Sequence, residues 1–208
     1  MRAEANILVL GIGNVLWADE GFGVRVVEEM QRRYSFPENV LLLDGGTQGI
    51  YLVDRVRDAN VLVVFDAVDY GLAPGTLKRV EGDAVPRFMG AKKMSLHQTG
   101  FQEVLALAEL MGDYPEQVLL IGVQPVELED YGGSLRPAVK AQIGPAIDLA
   151  LSYLVERGVR PLSVGDASDP VGVPLAALAM EPYEEGRPSA ERACRTGDIR
   201  FLTSPGKG

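Results

Sequence analysis

The sequence predicts an α/β domain built on a mainly parallel sheet. Short apolar runs typical of buried strands alternate along the chain with segments in which apolar residues recur at helical spacing. The first run leads into Gly11-x-Gly13, the tight turn that ends the first strand of doubly wound folds. Two later runs end at Asp44 and at Asp66. Strands and helices that alternate in this way form βαβ units, whose strands run parallel.

The first elements are a strand at about 6–12 and a helix at about 21–34, because a buried apolar run is followed by an amphipathic pattern. A strand at 40–43 then enters a glycine turn, and a short helix is expected near 48–57. The apolar residues expected on the inner face of the first helix are Val24, Val26, Val27 and Met30.

The later elements begin with a buried strand at 61–65. Residues 76–80 lie between glycine and proline residues and predict an extra edge strand. An amphipathic helix at about 98–111, a strand at 118–123 and a helix at about 137–157 complete the domain.

From about Pro161 the composition changes, and glycine, proline, serine and acidic residues dominate. We therefore expect one domain over 1–160 and an irregular tail over 161–208, mobile or ordered by a partner, in which only Val173 to Met180 suggests local order.

Length and composition exclude several classes of protein. The 208 residues, 47% hydrophobic and 24% charged, fit one globular domain with a substantial core. The formal charge of −9 argues against nucleic acid as a partner. The single cysteine, Cys194, excludes an internal disulfide framework and a CxxC zinc site.

We expect a cytoplasmic protein that contacts no membrane, because no run approaches the roughly 20 apolar residues of a span and MRAEAN is no signal peptide. A monomer is the default, since no coiled-coil heptads are visible.

The turn after the first strand contradicts a nucleotide site. A dinucleotide fingerprint needs a third small residue where this chain has Leu16, and Asp19 and Glu20 follow at the start of the helix. Two carboxylates at that point would repel a phosphate, but they suit a cation. We therefore predict no nucleotide cofactor.

Glu20, Asp66 and His97 form the candidate site. Glu20 follows the first strand, Asp66 ends the third, and His97 precedes a helix. Ligands in open α/β sheets bind beyond the carboxyl ends of the strands, so the two acids are expected to face one crevice. Two carboxylates and an imidazole suit a divalent ion such as nickel or zinc. With only three protein ligands, the site would suit a metal presented by another molecule.

Each of these residues also has a plain structural interpretation: Glu20 as a first-turn acid, Asp66 as a strand-end turn former, and His97 as a structural histidine. Asp19 and Asp69 are alternative ligands, ranked lower because Asp19 would cap the helix and Asp69 would form a turn.

Two glycine-rich loops likewise have a structural and a functional interpretation. For Tyr131-Gly132-Gly133-Ser134 an ordinary loop is the favoured interpretation. The segment after the second strand is interpreted equally well as a glycine turn or as a flexible wall that contacts a peptide backbone. Its residues are Asp44, Gly45, Gly46, Thr47 and Gln48.

Five blocks of sequence carry a family resemblance. LGIGNVLWADEGFGVRV, DGGTQG, FDAVDYGLAPGTL, KKMSLHQ and DYGGSL resemble, in this order, the maturation endopeptidases of nickel–iron hydrogenases, and in particular the branch that serves membrane-bound uptake hydrogenases. The resemblance covers roughly residues 5–155. It implies a three-layer α/β/α sandwich with a twisted, mainly parallel central sheet of the phosphorylase/hydrolase-like type.

The resemblance also implies an activity and a set of site residues. The activity is removal of a C-terminal extension from the hydrogenase large-subunit precursor after nickel insertion. The family's metal-binding residues correspond to Glu20, Asp66 and His97, and its recognition loop corresponds to Asp44–Gly49. Nickel would be supplied by the substrate.

The residues are compatible with this chemistry. No serine–histidine–acid set can be placed, which leaves attack by water, assisted by a metal as Lewis acid or by a carboxylate as base. Asp66 is the candidate for polarising the water. The competing hypotheses are a non-catalytic metal-binding chaperone, a peptidyl-tRNA-hydrolase-like enzyme and a dinucleotide-dependent oxidoreductase. The negative charge of the chain disfavours the peptidyl-tRNA-hydrolase-like enzyme, and Leu16 disfavours the dinucleotide-dependent oxidoreductase.

Overall fold

Five strands form the central sheet in the order β3-β1-β4-β6-β5 in a computed structural model that describes residues 6–85, 96–164 and 178–187. Four of them run parallel, and β5 pairs antiparallel with β6 at one edge. A separate antiparallel pair is formed by β2 and β7. The strands are β1 (Ile7–Ile12), β2 (Tyr34–Ser35), β3 (Val40–Gly46), β4 (Val61–Ala67), β5 (Leu77–Glu81), β6 (Gln117–Val123) and β7 (Leu162–Ser163).

Helices cover both faces of the sheet, which gives three layers. The described helices are α1 (Phe22–Arg33), α2 (Val53–Arg57), α3 (Leu96–Leu110), α4 (Pro137–Lys140), α5 (Ile143–Val155) and α6 (Met180–Glu185). Short 3-10 turns occupy Ala18–Gly21, Gly49–Leu52 and Gly82–Ala84. None of the described helices is long and apolar enough to cross a membrane.

The period of two along each buried strand divides the core between the two faces. On β4, Val63 and Phe65 pack with α1 and α5, whereas Leu62 and Val64 pack with α2 and α3. Every residue of β4 is buried, as expected for a strand covered on both faces. The α/β class, the parallel sheet and the three-layer arrangement are therefore confirmed.

Gly23 sets the distance between α1 and the sheet. A Cβ atom at this position would overlap the carbonyl oxygens of Ile12 and Phe65, at the ends of β1 and β4. The first turn of α1 can therefore lie directly on the carboxyl edge of these two strands, which brings the preceding turn, Ala18–Gly21, to the same edge.

Two sequence-based boundaries need correction. The helix predicted over 137–157 is two helices, because the chain turns at residues 141–142. That turn places Pro145 in the first turn of α5, where its missing N–H breaks no helical hydrogen bond. The predicted edge strand at 76–80 is confirmed as β5, shifted by one residue.

Part of the segment expected to be an irregular tail has regular structure. Leu162 and Ser163 pair with β2, and the backbone N–H of Val164 donates to the carbonyl of Arg33. Residues 180–185 form α6. The local order expected over Val173 to Met180 falls largely outside the described residues.

Candidate active site at the carboxyl edge of the sheet

The carboxyl edge of the sheet brings the Glu20 turn to the end of β4. Glu20 lies in the 3-10 turn that follows β1, and Asp66 is the penultimate residue of β4. Strands β1 and β4 are parallel neighbours, with Gly11 paired to Phe65. The predicted adjacency of the two strands is therefore confirmed, whereas a shared crevice and a role as metal ligands stay predictions for the two acids.

Asp66 is a fully buried carboxyl group at a strand end. Its Oδ1 accepts a hydrogen bond of 2.8 Å from the backbone N–H of Ala67. By the alternation along β4 its side chain lies on the same face as Leu62 and Val64, which is the face that α3 covers. A buried carboxylate is costly unless charge or hydrogen bonds compensate it, and the bond from Ala67 N–H is one of the contacts that offset this cost.

Glu20 is partly buried, and burial raises its pKa to about 7. Near neutral pH the protonated and the ionised forms of this carboxyl group are therefore both populated, and a nearby cation would favour the ionised form.

The backbone of His97 lies in the first turn of α3. One turn further, Gly100 contacts Gly49, with 3.5 Å between the Gly49 Cα and the position of a Cβ on Gly100. The start of α3 therefore lies beside the segment that follows β3, at the same edge of the sheet. The side chain of His97 and most of the KKMSLHQ block lie outside the described residues.

Asp19 does not cap the helix, and that interpretation was wrong. Its side chain is fully buried and accepts three backbone hydrogen bonds from the loop after β6. The donors are the N–H groups of Val126 (2.8 Å) and Glu127 (2.9 Å) to Oδ2 and of Arg136 (2.7 Å) to Oδ1. Because these donors occupy both oxygens, Asp19 is a poor metal ligand and an effective clamp.

Asp69 forms the predicted turn. Its Oδ1 accepts a hydrogen bond of 2.9 Å from Gly71 N–H and another of 3.0 Å from the Gln124 side-chain amide. The Oε1 of Gln124 accepts from Tyr70 N–H (2.8 Å) and Leu72 N–H (3.1 Å). Gln124 therefore joins the loops after β4 and β6, a role that its sequence context did not indicate.

The DYGGSL block contacts the turn that carries Glu20, which its interpretation as an ordinary loop at residues 131–134 does not predict. The ring of Tyr131 packs edge-on against Trp17, with centroids 5.2 Å apart. The N–H of Gly132 donates to the Leu16 carbonyl (2.7 Å), and the N–H of Ala18 donates to the Gly133 carbonyl (3.1 Å). This loop thus pairs with the turn that carries Glu20.

Tyr70 fills the space that a glycine leaves beside Asp66. Gly122 on β6 is the register partner of Asp66, and a Cβ atom there would overlap the Tyr70 hydroxyl. Burial, and secondly the charge of Asp66, raises the pKa of Tyr70 far above its usual value. The hydroxyl therefore stays protonated close to Asp66, a contact that sequence analysis did not find.

Within the segment Asp44–Gln48, the first three residues end β3 and the last two begin the turn that follows it, at the same edge of the sheet. The backbone N–H of Gln48 donates to the Gly45 carbonyl (3.0 Å), and its side-chain amide donates to the Asp44 carbonyl (3.2 Å). Asp44 is exposed within β3, and Thr47 and Gln48 are exposed beyond its end. The structural interpretation of this segment is supported, and its contact with a peptide stays a prediction.

The sequence profile that describes hydrogenase maturation proteases matches residues 24–153. The chain belongs to this family, and it is a hydrolase of the endopeptidase class. The predicted family and enzyme class are confirmed.

Individual relatives differ in how much of the chain they match. Hydrogenase expression/formation protein HupD of Thiocapsa roseopersicina is 67% identical over 205 residues, which are 98% of this chain and 93% of that protein. Hydrogenase 2 maturation protease of Escherichia coli K12 is 41% identical over 157 residues, 75% of this chain and 94% of that protein. A solved structure of the hydrogenase maturating endopeptidase HybD from E. coli superimposes with a TM-score of 0.73 and 39% identity, over 78% of this chain and 99% of that one.

Proposed function

We propose that the chain removes the C-terminal extension of a nickel–iron hydrogenase large-subunit precursor after nickel has been inserted. Glu20, Asp66 and His97 would contact the nickel that the precursor carries, so that nickel belongs to the substrate. The observation that carries this proposal is the meeting of the Glu20 turn with the buried Asp66 at one sheet edge. Two carboxylates in a partly dry crevice are suited to a cation.

Contact with the substrate's nickel would make proteolysis depend on metal insertion. The precursor with nickel gains ligands from the protease that the empty precursor cannot engage, so its scissile bond is held in position. Because the three protein groups leave metal coordination positions to the substrate, the ion can bridge the two proteins and depart with the product.

Asp66 is our candidate for polarising the attacking water, as in an aspartyl-type peptidase. Its carboxylate would accept a proton from water while the oxygen attacks the scissile carbonyl. The C–N bond then breaks, and the released amino group takes up a proton. The Tyr70 hydroxyl near Asp66 limits the space open to bulk water on that side.

Exposed apolar side chains at the carboxyl edge of the sheet suit a protein substrate. They follow three of the parallel strands at their carboxyl ends, and Tyr51 is 83% exposed. Large apolar groups exposed around a cleft are typical of protein-binding surfaces. The members of this apolar rim are Ile50, Tyr51, Leu72, Val126 and Tyr131.

The test is incubation of the purified protein with nickel-loaded and with nickel-free precursor, followed by mass spectrometry of the products. Release of a C-terminal peptide only from the nickel-loaded precursor is expected. Glu20→Gln, Asp66→Asn and His97→Ala should each block release of the peptide. The control Asp113→Asn changes a partly exposed ion pair with Arg57 and should leave release unchanged. Equal cleavage of both precursors would refute nickel recognition, and binding without cleavage would favour a metal-binding chaperone.

A further inference from the structure

Residues 178–187, here called the strap, lie against α1 and against residues 124–136, here called the β6–α4 loop. The strap contains α6, and it follows the part of the chain that the family profile matches, residues 24–153. Its contacts form a continuous path to the turn that carries Glu20.

The first contact of the strap is with a buried cation on α1. The side chain of Arg25 is 3% exposed, and its Nη1 donates to the Leu178 carbonyl (2.7 Å) and to Glu28 Oε2 (2.8 Å). The guanidinium also lies 5.8 Å from the centroid of the Tyr183 ring. Because a buried guanidinium needs acceptors, the Leu178 carbonyl is part of what keeps Arg25 inside the fold.

The second contact is a set of ion pairs to the β6–α4 loop and α4. Both carboxylate oxygens of Glu184 lie 2.9 Å from Lys140 Nζ, and Ser134 Oγ donates to Oε1 at 2.7 Å. At the end of the strap, Arg187 pairs with Asp130 at 2.9 Å. Asp130 also accepts from the Arg136 guanidinium at 2.8 Å within the loop. Partly exposed pairs contribute little singly, but these share partners and act on one loop.

The third contact joins the β6–α4 loop to the Glu20 turn. The Asp19 carboxylate accepts three backbone hydrogen bonds from this loop, and the N–H of Ala18 donates to the Gly133 carbonyl. Gly133 is the neighbour of Ser134, which donates to Glu184 in the strap. Two hydrogen bonds and one peptide unit therefore separate Glu184 from Ala18.

The backbone at Ala18 shows why the Glu20 turn needs support. Ala18 has a φ of 38°, which is the left-handed region that non-glycine residues rarely adopt. A residue in this conformation persists only when its surroundings hold it there. Here the holding groups are the β6–α4 loop and, behind it, the strap.

We propose that the strap positions Glu20 for the proteolytic reaction by fixing the β6–α4 loop against the Ala18–Gly21 turn; this inference rests on the proposed role of Glu20. The relatives differ in how much of this chain they cover. The E. coli structure matches 78% of this chain although 99% of its own chain is covered, whereas the T. roseopersicina relative aligns along 98% of this chain. The strap lies outside residues 24–153, the part of the chain that the family profile matches.

The test compares amide hydrogen exchange in the full-length protein and in the variant Glu184→Gln/Arg187→Gln. We expect exchange at the N–H groups of Ala18, Asp19 and Val126 to become about tenfold faster in the variant, since their local opening is no longer opposed by the strap. Exchange in the centre of β4 should not change. The matched control is Asp113→Asn, which breaks an ion pair with Arg57 of the same kind away from the strap; it should leave exchange at Ala18 unaltered.

Cleavage of the nickel-loaded precursor supplies the functional readout. The strap variant should lower kcat about threefold to tenfold and leave KM nearly constant, because the apolar rim is untouched. Charge exchange gives a rescue test: Glu184→Lys and Lys140→Glu should each reproduce the defect, and the double variant should restore both kcat and slow exchange. Unchanged exchange in the strap variant, or faster exchange with full kcat, would overturn the inference.

The failure of the proposed function is seen separately in Glu20→Gln. If Glu20→Gln cleaves at the normal rate, Glu20 has no role in the reaction and positioning of Glu20 by the strap is overturned with it. If Glu20→Gln is inactive while the strap variant shows normal exchange and normal kcat, the proposed function stands and only the inference about the strap is wrong.

Discussion

The backbone N–H of Arg136 donates a hydrogen bond of 2.7 Å to the carboxylate of Asp19, a residue 117 positions earlier in the chain. Together with the bonds from Val126 and Glu127, it makes one buried side chain the link between the first and the fourth strand-end loops of the parallel sheet. The turn that carries Glu20 is thus held by a neighbouring residue whose own partners are distant in sequence.

Asp19→Asn is expected to lower the free energy of unfolding by about 2 kcal/mol. The change preserves size, but it replaces one acceptor oxygen with an amide that faces a backbone N–H, and a buried donor without an acceptor costs roughly 1–3 kcal/mol. Urea denaturation followed by circular dichroism measures the effect. Asp113→Asn, which neutralises a half-exposed acid, serves as control and should stay within about 0.5 kcal/mol of the parent. Equal changes in unfolding free energy for the two substitutions would contradict a stabilising role of the Asp19 hydrogen bonds.

Gly122→Ala is expected to destabilise the protein by about 1–3 kcal/mol, the usual cost of overpacking a filled site. The added methyl group would overlap the hydroxyl of Tyr70 and lie 2.9 Å from its Cε2. The displaced ring would also expose Asp66, so cleavage should fall by more than stability explains. Gly144→Ala is the control, because a Cβ atom there meets nothing within 4 Å.

The specific cause of the Gly122→Ala effect is tested by combining it with Tyr70→Leu. If the ring is what the methyl group meets, the double variant recovers most of the lost unfolding free energy. Thermal denaturation of the four proteins gives the coupling, and strict additivity of the two single effects would show that the contact is unimportant.

Acid should weaken the ion pairs that Asp130 makes with Arg136 and Arg187. The hydrogen bond from Arg136, followed by the one from Arg187, lowers the pKa of Asp130 below its ordinary value of 3.8. The folded protein therefore binds fewer protons than the unfolded chain just below that pH, so the contribution of Asp130 to stability is present above pH 3.8 and declines as pH falls through the folded-state pKa.

The measurement for the acid effect is the unfolding free energy of the parent and of Asp130→Asn between pH 6 and about pH 3. The parent should lose more stability than Asp130→Asn on acidification, and the two curves should converge at the lowest pH. Parallel curves over the whole range would mean that the ion pairs of Asp130 do not contribute.

Tyr51→Ala should weaken the binding of the precursor and leave the protease itself intact. Tyr51 is 83% exposed, so its removal costs little folding energy, while an aromatic contact at an interface is worth about 1–3 kcal/mol. We expect KM for the precursor to rise about tenfold with kcat nearly unchanged.

The control for Tyr51 is Leu110→Ala. Leu110 is also 83% exposed, but it is the last residue of α3, whose first turn lies at the active-site edge. Its removal should leave KM unaltered. If both substitutions raise KM alike, the precursor is not recognised by the apolar rim.

The strands of the central sheet could be predicted from the sequence because their signals are local. Every residue of β4 is apolar apart from Asp66, and β5 is framed by glycine and proline turns. The meeting of the Glu20 turn with Asp66 followed from topology, since strand ends on one edge of a parallel sheet are close wherever their residues lie in sequence.

The supporting contacts could not be predicted in this way. Asp19 resembled a helix cap because an acid before a helix has that local use, and its actual donors are more than a hundred residues away. Gln124 and the Tyr70–Gly122 contact depend on packing between loops, which leaves no periodic signal. The strap was missed since its charged residues resemble those of an unstructured tail until the basic partner at Lys140 is seen.

Because side chains alternate between the two faces of the sheet along β4, the number of residues before Asp66 decides on which face its carboxyl group lies. Deletion of one residue between Val61 and Phe65 would shift the strand by one place, and the carboxyl group would then enter the core between the sheet and α1, among the side chains that pack with Phe22 and Tyr153. Loops around the crevice can lengthen or shorten over evolution without this penalty. Strand β4 is therefore expected to tolerate exchanges of one apolar residue for another and to reject every insertion or deletion, which makes its length a stricter requirement than its composition.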